Sequence, residues 1–378
     1  MRIVTSLDGL RGLAVIGVLL FHTGHLPGGF LGVDLFFALS GYLITAQLLR
    51  ESPASLAGFW GRRIRRLVPA LSLMLGIVCL LVWAVGSPDL LRTTLGDGPW
   101  VQANLANWHL LAVSAGYWER FGEARVFEHL WSIAVEEQFY LVWPVIVLIA
   151  GIRRTWWVAA TGSVASLILM IALVDPADPS RVYTGTDTRA FSLLLGAVAA
   201  AMPVGAALGA MTGRRANATA ALSTAGIGVC WLFAEGVGSP WLYTGGLFLH
   251  SLAATVLIVL CVHDQGTFVA RVLSWWPLRR TGLISYSLYL WHWPVIVLLS
   301  PERTGLDGWV WTVVVVAVSV GAATLSKYVV EDPIRFRAGW ARGRVGLGVL
   351  VVAMAALAAL WLLVPSPAPV VIDVTDLS

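Results

Sequence analysis

Apolar segments of 18 or more residues recur along the whole chain, and this repetition constrains the fold more than any other feature. The sequence is 58% hydrophobic and only 12% charged, whereas soluble domains carry about 25% charged residues. Each segment is long enough to cross a bilayer as a helix, which satisfies its own backbone hydrogen bonds. The short alternating segments typical of outer-membrane barrels are absent from the sequence. We therefore predict an all-α, polytopic transmembrane helix bundle with the lipid bilayer as a partner.

Length and apolarity predict eleven spans, about ten core helices and an additional C-terminal helix. They cover roughly residues 8–25, 31–50, 67–86, 131–150, 155–174, 190–210, 217–235, 243–263, 282–300, 309–330 and 346–364. Arginine clusters follow the even-numbered spans, at 62–66, 153–154, 214–215, 271–280 and 335–344. Arginine-rich loops are cytosolic by the positive-inside rule. This pattern predicts a cytosolic N-terminus and an extracytosolic C-terminus.

The outer loop from about 87 to 130 is long, and its stretch 99–115 is fairly apolar. If that stretch crossed the membrane, every later arginine-rich loop would lie outside, so we predict an outer-surface or re-entrant helix. The net charge of +4 is modest and clustered in short loops, so it indicates topology rather than a nucleic-acid partner. Cys79, Cys230 and Cys261 lie in apolar segments, spaced neither for disulfides nor for a metal. The first segment lacks a cleavage pattern and is expected to act as an uncleaved anchor.

Arg11 and His22 are the first candidate functional residues. They lie in one apolar segment, LDGLRGLAVIGVLLFH, eleven positions apart. That spacing gives about 16 Å of helix rise and places both within about 20° of one face. Ionisable residues inside a span are rare and usually functional. In the packing alternative, Arg11 snorkels to a lipid head group and His22 caps the end of the helix.

Asp34 interrupts the apolar run GGFLGVDLFFALSGYLIT at residues 28–45. The glycines of this run allow helices to approach closely or allow the backbone to line a cavity. We predict a substrate-binding role for Asp34. An internal ion pair that fixes helix packing is the alternative.

Four arginines occur within five residues in FWGRRIRRLVP, residues 59–69. Arginine binds phosphate bidentately and remains charged, so the run suits a phosphate-rich ligand at a cytosolic helix start. The same run is also an ordinary topology determinant that meets anionic lipid.

The segment EHLWSIAVEEQFYLVWP, residues 128–144, enters a span from the outside and carries Glu128, His129, Ser132, Glu136, Glu137 and Tyr140. His129, Ser132 and Glu136 share a helix face by their spacing. A histidine and a carboxylate there can serve as general base and orienter for a hydroxyl acceptor. A metal site or a purely structural polar cluster are the alternatives, and we predict no metal. Tyr140 lies one turn further along the same segment and is predicted, with Ser132, to contact substrate.

The segment ISYSLYLWHWPV, residues 284–295, is rich in aromatic residues and contains one histidine. For its tyrosines and tryptophans the simplest interpretation is an interfacial aromatic belt. His292 lies deeper in the apolar run and is predicted to contact substrate.

Taken together, these segments resemble the acyltransferase 3 family of polytopic membrane acyltransferases. The Arg-to-His opening and the segments GGFLGVDLFFALSGYLIT, RRIRRLVPA, NW, HLWSIAVEEQFY, ISYSLYLWHWPV and VEDPIR occur in order over residues 5–335. The resemblance implies transfer of an acyl group, often acetyl, from cytosolic acyl-CoA to an extracytosolic hydroxyl. It implies Arg11 and His22 as the catalytic pair, Arg63 and Arg66 as ligands of the CoA phosphates, and an acceptor-side cluster that includes Ser132 and Glu136.

Residues 1–335 are thus expected to form the acyltransferase domain in a bacterial plasma membrane. A cytosolic loop and an additional helix would follow over 336–364, and an extracytosolic Pro-rich linker or tail over 365–378. Some family members continue into an extracytosolic SGNH-type hydrolase-like domain, so a fused or separate SGNH partner is possible. The extra helix and outward tail favour a surface glycan as acceptor. A membrane transporter that uses the Arg, His and Asp network is the alternative function, and a catalytically silent scaffold is a second one.

Overall fold

The computed structural model describes residues 4–50, 56–113, 117–118, 125–201 and 203–367, and its regular elements are all helical. The fold class is therefore confirmed. The first six helices are α1 Thr5–His22, α2 Gly32–Arg50, α3 Leu56–Val85, α4 Pro88–Gln102, α5 Ala106–Ala112 and α6 Trp131–Ala150. The next six are α7 Thr155–Leu173, α8 Ser180–Thr184, α9 Thr186–Ala201, α10 Pro203–Gly209, α11 Gly213–Phe233 and α12 Gly246–His263. The last five are α13 Phe268–Leu273, α14 Trp276–Leu298, α15 Pro301–Thr304, α16 Gly308–Ser326 and α17 Gly343–Leu363.

Nine helical stretches in the described residues are long and apolar enough to cross a membrane. The two other predicted spans, 190–210 and 282–300, fall on helices that miss one of these criteria. Helix α9 has only 16 residues, and α14 is long enough but carries many polar and aromatic residues. Both lie inside the bundle, where neighbouring helices rather than lipid cover their polar side chains.

The relative direction of the helices agrees with the predicted order of spans. Helix α1 packs parallel to α14, because Gly12 lies against Gly282 near one end and His22 meets His292 near the other. Parallel packing is expected for the first and ninth predicted spans, because odd-numbered spans cross the membrane in the same direction. The stretch 99–115 is broken at Asn104, which has a left-handed φ of 57°, between the short helices α4 and α5. Neither is among the nine candidate spans, as predicted for a segment that does not cross.

Glycines allow α1 and α14 to pack with their backbones in contact. A Cβ atom at Gly282 would lie 1.7 Å from the carbonyl oxygen of Asp8, and one at Gly12 would lie 2.1 Å from that of Leu278. No real Cβ can occupy either position without displacing backbone. Small residues are the usual solution for close helix pairs in membranes. This contact fixes the rotation of α1 against α14 and thereby positions the side chains between them.

We expect Gly282→Ala to destabilise the protein by forcing the two backbones apart, with a fall in Tm and in the yield of folded protein. The matched control is Gly321→Ala in α16, where no atom lies within 4 Å of the added Cβ. Alanine is the better helix former by about 1 kcal/mol, so that control should be neutral or stabilising. Thermal unfolding in detergent measures both variants, and equal Tm values would contradict this account of the α1–α14 contact.

Helix α17 docks against α3 and α4 through its C-terminal half. Leu357 and Trp361 are buried there. The Trp361 indole donates a hydrogen bond to Gln102 Oε1 at 2.7 Å, and the Gln102 amide donates to the carbonyl of Met354 at 2.9 Å. The additional helix is thus part of the bundle. Of the predicted tail at 365–378, residues 368–378 lie outside the described residues.

Candidate active site

A polar cavity of about 90 Å³ lies between α1, α2, α3, α6 and α14, which is room for several water molecules. Most of its polar lining comes from segments that the sequence analysis singled out. Its lining residues are Arg11, Val33, Phe36, Phe37, Ser40, Leu43, Ile44, Arg63, Arg66, Leu67, Ser132, Ile133, Glu136, Tyr140, Ser285, Tyr286 and Tyr289. Side chains from five helices therefore meet at one polar centre.

The cavity has an excess of positive charge. Arg11, Arg63 and Arg66 line it together with one carboxylate, that of Glu136. Arg63 and Arg66 are three residues apart on α3, and both face inward. The Arg63 guanidinium lies 5.0 Å from the ring centroid of Tyr140. Three guanidinium groups around one carboxylate leave a site that favours an anionic ligand, since arginine presents donors in a fork that matches phosphate oxygens.

Glu136 is fixed by two hydroxyl groups. Ser40 donates to one carboxylate oxygen and Tyr140 to the other, each at 3.0 Å. The two hydroxyl oxygens are themselves 2.9 Å apart. The predicted acceptor-side residue Glu136 thus lies with the three arginines in the cavity, whereas His129 precedes α6 in a 3₁₀ turn and lies outside the cavity lining.

Ser132 and Tyr289 connect the cavity to a cluster of histidines. Both line the cavity, and their hydroxyl oxygens are 2.6 Å apart. The Tyr289 hydroxyl also donates to the backbone carbonyl of His129 at 3.0 Å. The Tyr289 ring lies 5.6 Å from the His129 ring and 5.2 Å from the His292 ring, measured between centroids. The two residues form the wall between the arginine-lined cavity and the histidines.

Three histidines from α1, the turn before α6, and α14 form this cluster. His22 Nδ1 and His292 Nε2 are 3.2 Å apart. The rings of His129 and His292 are 5.3 Å apart in an edge-to-face arrangement. His129 and His292 are buried, while His22, the last residue of α1, is half-buried. The Trp293 ring packs 4.7 Å from His22. The structure thus brings His22, His129 and His292 together, although they are far apart in sequence.

Asp34 lies away from this centre. Its carboxylate forms a fully buried ion pair with Arg189 at 2.8 Å and accepts a hydrogen bond from Ser192 at 2.9 Å and one from Ser251 at 3.3 Å. It does not line the cavity. The geometry favours the packing alternative for Asp34, in which α2, α9 and α12 are held together. The Arg189 guanidinium also lies 4.8 Å from the ring centroid of Tyr183.

We expect Asp34→Leu to destabilise the protein by about 3–5 kcal/mol, because it leaves Arg189 as an unpaired buried charge. The matched double variant Asp34→Leu with Arg189→Met removes both charges and should recover most of the loss. Thermal unfolding of the single and double variants measures this. A double variant that is stable but no longer binds substrate would support the predicted binding role of Asp34 instead.

The loop from about 87 to 130 is held against the bundle by Asn107 and is joined internally around Asp97. Asn107 of the NW segment is buried and bonds Thr186 on α9 and Gln138 on α6, at 2.9 and 3.0 Å. Asp97 on α4 accepts hydrogen bonds from Arg125 and contacts His109, at 2.6 and 3.1 Å. Burial raises the pKa of the Asp97 carboxyl, against the opposing effect of these two partners.

Trp293 links this loop to the histidine cluster. Its indole donates to the backbone carbonyl of Arg125 at 2.8 Å, and its ring packs on His22.

The aromatic-belt interpretation is wrong for Tyr286 and Tyr289, which line the internal cavity, and for Trp291, which is only 7% exposed. Sequence reasoning also missed Arg189, although the sequence contains a signal for it. Arg189 lies on the predicted outer side, next to an apolar run, and away from every arginine cluster that was predicted to be cytosolic.

These features define a multi-pass helical membrane protein with a buried polar site between its helices. The chain belongs to the acyltransferase 3 family: the family model, described as an acyltransferase domain, matches residues 4–328. This confirms the resemblance seen in the sequence segments.

Curated relatives extend the comparison. The chain is 39% identical over 354 residues to the putative peptidoglycan O-acetyltransferase YrhL of Bacillus subtilis, covering 88% of this chain and 55% of the relative. It is 36% identical to the peptidoglycan O-acetyltransferase OatA of Listeria monocytogenes, covering 88% and 56%. It is also 36% identical to O-acetyltransferase OatA of Staphylococcus aureus, covering 79% and 51%. The chain thus spans about half the length of these relatives. No solved structure matches the chain.

Proposed function

We propose that this protein transfers an acetyl group from cytosolic acetyl-CoA to a hydroxyl group of a cell-wall glycan on the outer side of the plasma membrane. The observation that carries the proposal is that two polar centres lie next to each other in the bundle. Ser132 and Tyr289 line the arginine-lined cavity and separate it from the three-histidine cluster. In this proposal the anionic donor binds in the cavity and the proton-accepting group belongs to the histidine cluster. The names of the relatives support acetyl as the acyl group and peptidoglycan as the acceptor.

In this mechanism Arg63 and Arg66 hold the CoA phosphates, and the pantetheine arm carries the thioester toward His22. His22 removes the proton from the acceptor hydroxyl as its oxygen bonds to the thioester carbonyl carbon. The carbon–sulfur bond then breaks, and the proton passes from the imidazolium to the CoA thiolate. The products are an O-acetyl ester and free CoA. His22 as a transient acyl carrier is the alternative role.

The remaining cavity groups support the transfer. Arg11 is paired with Asp8 at 3.2 Å and steers the CoA arm within the cavity. Glu136 and Tyr140 hold the arm beside the arginines, while His129 and Ser132 order the acceptor end. The N-terminus is cytosolic and the C-terminus extracytosolic in this proposal. Residues 1–335 form the transferase unit, and an extracytosolic SGNH domain, fused or separate, is its partner at the glycan.

The transporter alternative loses one of its supports. A transporter requires intramembrane charges that contact the cargo, but Asp34 is closed off by Arg189, Ser192 and Ser251. Membership of an acyltransferase family also argues against transport as the main activity.

The test uses purified protein in lipid nanodiscs with acetyl-CoA labelled in the acetyl group and peptidoglycan fragments released by a muramidase. We expect CoA release together with base-labile label on the fragments. Acetylated fragments that carry no label and form without added acetyl-CoA would contradict the donor. CoA release without labelled fragments would contradict the acceptor. Binding without turnover would leave transport across proteoliposomes as the next assay.

A further inference from the structure

We infer that His292 is a positioning residue that fixes the tautomer of His22, so that Nε2 of His22 is the nitrogen that acts on substrate. This inference rests on the proposed function only for its kinetic consequence. The sequence had suggested that His292 contacts substrate, but the structure gives both of its ring nitrogens to protein partners. Its side chain is fully buried.

The first link is the hydrogen bond between His292 Nδ1 and the backbone carbonyl oxygen of Tyr289, at 2.7 Å. A carbonyl oxygen only accepts, so the proton of this bond belongs to His292 Nδ1. The neutral imidazole has one donor and one acceptor nitrogen. Neither hydrogen-bond partner of His292 is an anion that would favour the charged ring. His292 Nε2 therefore carries the lone pair.

The second link joins His292 Nε2 to His22 Nδ1 at 3.2 Å. Since Nε2 of His292 accepts, Nδ1 of His22 must donate. A neutral His22 with its proton on Nδ1 has its lone pair on Nε2. The chain Tyr289 carbonyl, His292, His22 thus presents a defined basic nitrogen at the half-buried end of α1. That nitrogen is available whether His22 acts as a base or as an acyl carrier.

The neighbouring groups do not compete for the two hydrogen bonds that join Tyr289, His292 and His22. His129 uses Nε2 for the carbonyl of Leu290, at 3.2 Å, and meets His292 only by its ring edge. Trp293 and Phe21 pack against the His22 ring at centroid distances of 4.7 and 5.0 Å, which limits its rotation. The Val18 backbone carbonyl, one turn earlier on α1, also hydrogen-bonds the His22 ring. A carbonyl only accepts, so this contact likewise calls for an N–H on the ring. The His22 ring is therefore restrained by packing on two sides, by His292 and by Val18.

A direct test observes the tautomer without any assay of activity. The protein is labelled with ¹⁵N-histidine in lipid, and the His22 signals are assigned by comparison with His22→Ala. Solid-state NMR should show a protonated Nδ1 and an unprotonated Nε2 on His22. In His292→Leu this preference should weaken, because the hydrogen bond to His292 is removed while the Val18 carbonyl remains. A wild-type His22 protonated on Nε2 would overturn the inference, even if acetyl transfer is confirmed.

Kinetics provide the second test. We expect His292→Leu to lower kcat by about 10- to 100-fold, with an unchanged KM for acetyl-CoA. This loss is part of the about 10²- to 10⁴-fold rate acceleration that a correctly positioned general base provides. His292→Gln keeps an acceptor near the Nε2 position and should recover part of kcat. The matched control His263→Leu alters a histidine that, among the described residues, hydrogen-bonds the carbonyl of Val259 on its own helix and should behave as wild type.

The outcomes separate this inference from the proposed function. A wild-type protein that does not turn over acetyl-CoA contradicts the function and leaves the NMR result to decide the tautomer. An active wild type with equal kcat in His292→Leu contradicts the inference alone. A raised KM with unchanged kcat would return His292 to the substrate-binding role that the sequence suggested.

Discussion

His22→Ala is expected to abolish acetyl transfer while acetyl-CoA still binds. A positioned general base contributes about 10²- to 10⁴-fold to a rate, so transfer should fall by at least two orders of magnitude. Donor binding should persist because His22 does not line the cavity that contains Arg63 and Arg66. Label transfer to peptidoglycan fragments measures the rate, and titration with acetyl-CoA measures donor affinity in the same nanodiscs.

The two roles of His22 predict different intermediates. If His22 is an acyl carrier, wild-type protein incubated with labelled acetyl-CoA and no acceptor should retain label on the His22 imidazole. If it is a base, the protein should remain unlabelled. His263→Ala is the matched control, because it removes a histidine from the end of α12, away from the cluster. Full transfer by His22→Ala would contradict both roles.

The helical class and the order of the spans could be predicted from the sequence because burial in lipid leaves a long apolar signature. The boundaries were less accurate. Helix α3 begins at Leu56, eleven residues before the predicted span, since the arginine run continues the helix into the polar region. The break at Asn104, which separates α4 from α5, has no signal in hydropathy and depends on one left-handed residue.

The arginine part of the site was predictable from local spacing. Arg63 and Arg66 are one turn apart on a helix, so both face the same direction. Ser132 and Glu136 follow the same rule on α6, and all four line the cavity. Patterns of this kind are contained within one helix and do not depend on how the helices assemble.

Contacts between distant helices were not predictable in the same way. His22 and His292 are 270 residues apart, and nothing local to either segment specifies that pairing. It follows from the backbone contact of α1 with α14 at Gly12 and Gly282. Asp34 likewise required its partner Arg189 to be known before the packing interpretation could be favoured over the binding one. A pattern can show that a buried charge needs a partner, but the fold decides which one it has.

The arginine cavity gives the second large expected effect. Arg63→Ala and Arg66→Ala should each raise the KM for acetyl-CoA by about 10- to 100-fold, as hydrogen bonds to charged groups contribute about 1.5–3 kcal/mol. The change should lie mainly in KM, because phosphate groups are held equally before and during the transfer step. Arg65→Ala is the matched control, since Arg65 lies on the same helix but does not line the cavity.

A truncated donor makes this experiment specific. S-acetyl-pantetheine keeps the thioester and the arm but lacks the nucleotide and its phosphates. Wild type should prefer acetyl-CoA over this donor, and Arg63→Ala and Arg66→Ala should lose that preference while their rate with the truncated donor stays unchanged. If the variants weaken both donors equally, the arginines act on the fold or on membrane placement instead. Such a result would favour the topology interpretation of the arginine run, because an ordinary topology determinant has no means of distinguishing the two donors.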